Sequence, residues 1–135
     1  MYKYSTTSQK RLATAHPKLQ ELFTRVLEVC DHTILQGHRT REEHEAYLKA
    51  GNSTVPYEQS KHSKTPSMAV DVAPYPMPKD WGAQWRDRVK FYEFAAVVRT
   101  EAKRLGIQIR WGGDWDGDGD YSDQKFDDLV HFELV

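Results

Sequence analysis

The sequence predicts an α+β fold: a small, mostly antiparallel sheet flanked by helices. The 135 residues correspond to one domain, with enough chain to bury a core. Helical and strand-like segments are mixed along the chain. The last two strand-like segments have no helix between them, which favours antiparallel pairing over a doubly wound sheet.

Three segments show helix signals. Pro17 suits the first turn of a helix, and apolar residues follow it at a spacing of three to four. Thr40 and Glu43 fit a capping box. Asp80 suits a helix start and Gly106 a helix stop. The predicted helices cover about residues 17–30, 40–51 and 80–105.

Four short runs have the composition of strands, and a long polar segment separates two of them. The predicted strands are Thr33–Gln36, Met68–Ala73, Ile107–Trp111 and about Val130–Leu134. Residues 52–67 are rich in Ser, Thr, Lys and Pro, which predicts a long surface loop.

We expect the four tryptophans to lie in the core or in a pocket wall. The helical spacing of Trp85, Val89, Tyr92 and Ala96 predicts that these residues form a buried stripe on one helix.

The composition excludes several classes of function. The net charge is −1, so no basic excess indicates a nucleic-acid partner. Cys30 is the only cysteine, which leaves no intramolecular disulfide. The N-terminal residues lack the apolar run of a signal peptide, and no stretch has the length of a membrane span. We therefore expect synthesis in a cytoplasm, with no membrane anchor.

Three residues of metal-ligand type suggest a metallohydrolase. They are His62, Asp71 and His131, and two histidines with one carboxylate suit a catalytic zinc that keeps its fourth position open. Asp71 is a carboxylate in an otherwise apolar strand, so a partner is expected beside it. The alternative is a salt bridge from Asp71 to an arginine, with His131 as an ordinary core histidine and His62 in contact with solvent.

Two further residues are candidates for catalysis. Asp128 precedes His131 by three residues and could carry a proton to and from the reacting groups. Its alternative is membership of an acidic surface stretch. Arg39 follows a predicted strand, where its guanidinium could bind a substrate carboxylate through two parallel hydrogen bonds. Its alternative is a solvated arginine like Arg41.

An acidic loop at 114–123 predicts a second cation site. Its start matches an EF-hand calcium loop, with Gly119 at the sixth position, but Lys125 stands where the loop would carry its last Glu. The alternative is an Asp/Gly turn without an ion. Because so many carboxylates repel one another, we favour a cation, with calcium as the candidate. The possible ligands are Asp114, Asp116, Asp118, Asp120 and Asp123.

Taken together, these residues resemble a known family over nearly the whole chain. The matching pieces, in order, are Leu12-Ala13-Thr14, His16-Pro17, Gly37-His38-Arg39-Thr40, Ser60-Lys61-His62, Ala69-Val70-Asp71, Trp111-Gly112-Gly113-Asp114-Trp115 and Asp128-Leu129-Val130-His131-Phe132-Glu133-Leu134. The chain resembles the zinc D-Ala-D-Ala carboxypeptidase and dipeptidase family, which shares its fold with the Hedgehog signalling domain. Within that family it looks most like the phage L-alanyl-D-glutamate endopeptidase endolysins.

The resemblance implies a zinc peptidase that cuts the L-Ala–D-Glu bond of the peptidoglycan stem peptide during phage lysis. It implies zinc ligation by His62, Asp71 and His131, an acid/base role for Asp128, and a place near the scissile carbonyl for Arg39. We expect one peptidase domain over 1–135 without a wall-binding module, acting as a monomer. It would reach the periplasm after another protein permeabilises the inner membrane.

One departure from the family pattern affects His62. Eight residues separate His62 from Asp71 where many members have six, and the family glycine of that run is missing. If the longer loop kept His62 from the metal, His38 and His44 would be the substitutes. Two alternative functions remain at this point: a D-Ala-D-Ala carboxypeptidase or dipeptidase, and a non-catalytic cation-binding module of the same fold.

Overall fold

Within residues 1–53, 55–81, 83–120 and 127–135, which the computed structural model describes, four strands form one sheet and four α-helices surround it. The strands are His32–Gln36 (β1), Ala69–Pro74 (β2), Ile109–Gly112 (β3) and Asp128–Leu134 (β4). The sheet order is β1-β2-β4-β3, and every neighbouring pair is antiparallel. The predicted α+β class is therefore confirmed.

The helices agree with the sequence patterns in part. They are Thr6–Leu12 (α1), Pro17–Leu27 (α2), Arg41–Lys49 (α3) and Trp85–Leu105 (α4). The first was not predicted, because α1 buries only Ser8 and Leu12 and so lacks an apolar stripe. The capping box of α3 is confirmed: the backbone N–H of Glu43 donates to the Thr40 hydroxyl, and the Glu43 carboxylate accepts from the Thr40 N–H.

The predicted start of α4 is wrong by five residues. Asp80 caps only a turn, since its carboxylate accepts from the backbone N–H of Gln84 and the helix begins at Trp85. The predicted end is confirmed, because Gly106 adopts a left-handed φ of 71° directly after Leu105.

The core lies between the sheet and helices α2 and α4. The buried face of α4 comprises Phe91, Phe94, Ala95, Val98 and Ala102, not the predicted stripe. Trp85 is 70% exposed and Trp81 is 54% exposed, so the expectation that all four tryptophans are core or wall residues is wrong for Trp85. Trp111 is fully buried, as expected.

The sheet register brings the predicted site residues together. Asp71 at the centre of β2 pairs directly with His131 of β4. Strand β4 begins at Asp128, which pairs with Gly112 of β3. If Gly112 were replaced by a residue with a side chain, its Cβ would lie 2.1 Å from the backbone oxygen of Asp128. Only glycine permits this close approach, so Gly112 fixes where β4 starts and where Asp128 lies.

Candidate active site

Three predicted ligand side chains converge at the middle of the sheet. The Nε2 atom of His62 lies 3.1 Å from Oδ1 of Asp71 and 3.3 Å from Nδ1 of His131. The same Nδ1 atom lies 3.4 Å from Oδ1 of Asp71. All three residues are buried. One atom from each side chain therefore faces a shared point.

The spacing of these atoms fits a tetrahedral metal ion. Zinc bound at about 2.0–2.1 Å requires ligand atoms about 3.3–3.5 Å apart, close to the three separations observed. Two imidazole nitrogens and one carboxylate oxygen are also a donor set that zinc accepts in catalytic sites. The residues present therefore fit the predicted ion.

Partners behind the two histidines orient them toward that point. Nδ1 of His62 donates to the carbonyl of Gly37 at 2.7 Å, which leaves the lone pair of Nε2 directed at the other ligands. Nε2 of His131 donates to Glu133 at 2.8 Å, which turns Nδ1 toward Asp71. Such outer partners fix tautomer and ring orientation in metal sites.

The charges around the three ligand residues favour a positive charge at their centre. Burial alone would lower the pKa of His131, but hydrogen bonds to Asp71 and Glu133 outweigh it and raise the pKa to about 9. Burial alone would raise the pKa of Asp71, but the charges and hydrogen bonds of His62 and His131 keep it well below its usual range. A metal ion would therefore have to displace a proton from His131 at neutral pH.

The longer loop before Asp71 still brings His62 to the ligand set. Ser60 accepts a hydrogen bond from the backbone N–H of His62 and begins the short 3-10 turn Lys61–Ser63 that carries the ring. The backbone N–H of Met68 then returns to the carbonyl of Lys61 at 2.9 Å, which closes the loop. Neither substitute joins the set among the residues described: His44 lies against Arg39 and the Val55 carbonyl instead.

Arg39 is buried, unlike the exposed Arg41. Its Nη2 lies 3.3 Å from Oδ2 of Asp71, so the arginine contacts the carboxylate oxygen that does not face the histidines. Its Nε donates to Gln36 and its Nη1 lies 3.3 Å from His44. The guanidinium also stacks 4.2 Å from the ring centroid of Tyr47. Arg39 therefore orients Asp71 from a fixed position.

Asp128 lies beside the ligand set on the wall of a cleft. The cleft has a volume of about 630 Å³ and is lined by Asp71, Arg39, Asp128 and residues from three other segments, among them Tyr47, Trp81 and Arg88. Burial, and then the negative charge of Asp71, raise the pKa of Asp128 to about 6. A half-buried carboxylate with a raised pKa beside candidate metal ligands suits a proton carrier.

The acidic loop brings three of its five predicted residues together. Asp114, Asp116 and Asp118 offer carboxylate oxygens within 4.8 Å of one another. Oδ2 of Asp114 accepts from Arg99 and from the backbone N–H of Gly119, whereas its buried Oδ1 has no hydrogen-bond partner among the described residues. Asp120 is exposed, and its backbone N–H donates a hydrogen bond to the carboxylate of Asp118. Asp123 lies outside the described residues.

Several residues of the site were not singled out from sequence. Glu133 supports His131, and only its position on the same strand face hinted at this. Gln36, His44 and Tyr47 lie within eight residues of Arg39 in the chain and contact its guanidinium. The sequence suggested His44 only as a substitute metal ligand and gave no signal for the other two. Arg88 of α4 and Asp127 also line the cleft.

Comparisons with known proteins identify the family of the chain. The family model described as phage L-alanyl-D-glutamate peptidase matches residues 1–135. The L-alanyl-D-glutamate peptidase of Escherichia phage T5 is 35% identical over 139 residues, covering 99% of this chain and 98% of the relative. The crystal structure of the Serratia marcescens L-Ala D-Glu endopeptidase ChiX is similar in fold, with a TM-score of 0.72 at 24% identity, covering 98% of this chain and 89% of that one. The predicted resemblance is confirmed, and the chain belongs to the phage L-alanyl-D-glutamate peptidase family.

Proposed function

We propose that this protein is a zinc-dependent peptidase that hydrolyses the L-Ala–D-Glu bond of the peptidoglycan stem peptide. The observation that carries the proposal is the convergence of His62, Asp71 and His131 at tetrahedral spacing, with Asp71 and Asp128 lining the same cleft. Family membership supports the choice of this bond over the D-Ala-D-Ala ends. When bound, zinc polarises a scissile carbonyl and lowers the pKa of water.

Side chains around the metal site have separate roles in the proposed reaction. Asp128 accepts a proton from the attacking water and returns it to the leaving amine, a role that its raised pKa suits. Arg39 fixes the orientation of Asp71 and places a positive charge on the cleft wall, where it stabilises the developing oxyanion. Hydrogen bonds to Glu133 and to the Gly37 carbonyl fix the ring orientations of His131 and His62, respectively.

The experiment that tests the proposed function is mass spectrometry of purified peptidoglycan after digestion. We expect fragments with a new amino terminus at D-Glu, which disappear when a chelator is present and return when zinc is added. Fragments that have lost only a terminal D-Ala would support the carboxypeptidase alternative. An intact wall after digestion by the zinc-loaded protein would support the non-catalytic alternative.

Arg39→Lys is expected to lower hydrolysis at least about 10-fold, because a point charge cannot reproduce the planar contacts with Asp71, Gln36 and Tyr47. Steady-state kinetics on a stem-peptide substrate measures this. The matched control is Arg41→Lys, which changes an exposed arginine two residues away. Near-normal turnover of Arg39→Lys would remove Arg39 from the mechanism.

We further propose that the acidic loop binds calcium and that calcium regulates the enzyme. The supporting observation is the buried Oδ1 of Asp114, which has no hydrogen-bond partner in the described part of the chain and lies next to the carboxylates of Asp116 and Asp118. A hard cation with oxygen ligands would satisfy that atom and relieve the repulsion. The loop follows β3, which pairs with the strand that carries Asp128 and His131. A cation bound by Asp114, Asp116 and Asp118 would therefore stabilise the site.

Calcium is expected to raise the thermal midpoint and the lytic rate of the wild-type protein, with micromolar-to-millimolar affinity. Asp116→Ala with Asp118→Ala should abolish both responses and leave zinc bound. The control is Glu42→Ala with Glu45→Ala, which removes the same charge from the exposed side of α3. If calorimetry detects no calcium binding at several millimolar, the loop is an Asp/Gly turn.

A further inference from the structure

The substrate of the proposed reaction carries a charge that the cleft must accommodate. This inference rests on the proposed function, cleavage between L-Ala and D-Glu. A glutamate residue within a peptide keeps one free carboxylate, whichever of its two carboxyl groups continues the chain. That carboxylate lies on the leaving-group side of the scissile bond. Three carboxylates, Asp71, Asp127 and Asp128, line the same cleft, so a substrate carboxylate that lies away from the proposed zinc needs a cationic side chain of its own.

Two arginines line the cleft, and one of them, Arg39, already uses its guanidinium nitrogens in contacts within the protein. Arg39 is buried, and its three guanidinium nitrogens contact Gln36, His44 and Asp71. Moving it onto a substrate carboxylate would remove the arginine contact from Oδ2 of Asp71, and breaking a buried ion pair is costly. Arg39 is therefore poorly suited to binding the free carboxylate.

The second arginine, Arg88 of α4, is accessible and only partly paired. Its side chain is 24% exposed, and one nitrogen donates to Asp127, whose side chain is 29% exposed. Nε donates to the hydroxyl of Tyr92, and the guanidinium carbon lies 5.4 Å from the centroid of that ring. Nη1 has no hydrogen-bond partner among the residues that the structure describes. The contacts of Nε with Tyr92 and of one terminal nitrogen with Asp127 hold the guanidinium at the cleft wall, and Nη1 remains available as a donor.

We propose that Arg88 is the specificity-determining residue that binds the free carboxylate of the D-Glu residue. Asp127 takes the place of that carboxylate in the substrate-free protein. Arg88, Asp127 and Asp128 line the same cleft, so a substrate carboxylate bound to Arg88 would bring the leaving-group side toward the proposed proton carrier. Planar guanidinium groups bind carboxylates through two parallel hydrogen bonds, which fixes both position and orientation.

The test compares two synthetic stem peptides, one with the free carboxylate of D-Glu and one with the same group as a neutral amide. Wild-type zinc-loaded protein should prefer the acid by about 10- to 100-fold in kcat/KM, as expected for hydrogen bonds to a charged group. In Arg88→Gln the preference should fall to within a few-fold of unity, chiefly through a higher KM for the acid.

Three further variants make the test specific. Arg86→Gln removes the same charge from an exposed position on α4 and should keep the wild-type preference. Asp127→Asn should keep or increase the preference, because it frees Arg88 from its competitor. Arg88→Lys keeps the charge without the planar group and should show a preference reduced several-fold, which provides a second measurement if Arg88→Gln does not fold.

The outcomes separate this inference from the function on which it rests. If the wild-type protein cleaves neither peptide, the proposed function fails. If it cleaves both without preferring the acid, or if the folded Arg88 variants keep the wild-type preference, the function stands and the assignment of Arg88 is overturned.

Discussion

Asp128→Asn is expected to lower hydrolysis about 10²- to 10⁴-fold while the fold and the zinc content stay near wild type. The amide has almost the same shape as the carboxylate but cannot accept the proton of the attacking water. Asp128 lines the cleft without belonging to the ligand set, so metal binding should survive the change. Steady-state kinetics, metal analysis and a thermal midpoint together measure these three quantities.

The control for that variant is Asp87→Asn, the same isosteric change on α4 at a residue paired with Lys90. It should leave turnover unchanged. Comparable losses in the two variants would show that the effect of Asp128→Asn is a general loss of charge. Loss of zinc from Asp128→Asn would instead make Asp128 part of the metal site.

His131→Ala and Asp71→Ala are expected to lose the bound metal and, with it, all measurable hydrolysis. Each removes one of three ligand atoms whose separations of 3.1 to 3.4 Å define the site. His62→Ala should behave in the same way, and it tests whether the longer loop before Asp71 still supplies a ligand. Zinc content after dialysis against a weak chelator is the measurement.

The matched control is His38→Ala, because His38 is half-buried and lies outside the ligand set among the described residues. It should retain about one zinc per chain. A His62→Ala variant that keeps stoichiometric zinc would show that another group takes the third position.

Local sequence signals predicted those parts of the fold that local physics determines. Thr40 and Glu43 predicted the start of α3, and Gly106 predicted the end of α4, because caps depend on neighbouring residues. Helix α1 and the true buried face of α4 were missed, since both depend on packing against distant segments. The exposed Trp85 shows the same limit, because an aromatic residue at helical spacing does not reveal which face meets the core.

The ligand set was predicted from residue type, strand pattern and resemblance, and the structure brings those residues together. The sequence could not supply the tautomers, because the Gly37 carbonyl that orients His62 is 25 residues away in the chain. It also could not show that Arg39 is buried against Asp71, a contact across 32 residues. Arg88 gave no signal at all, since its relevance depends on which helix face borders the cleft.

The most direct test of the account is a titration of zinc into metal-free protein, with hydrolysis of an L-Ala–D-Glu stem peptide followed at each step. We expect no activity without metal, a linear rise, and a plateau at about one zinc per chain. His131→Ala should stay inactive throughout the titration. Full activity in the metal-free protein would contradict the assignment of His62, Asp71 and His131 as the catalytic zinc site.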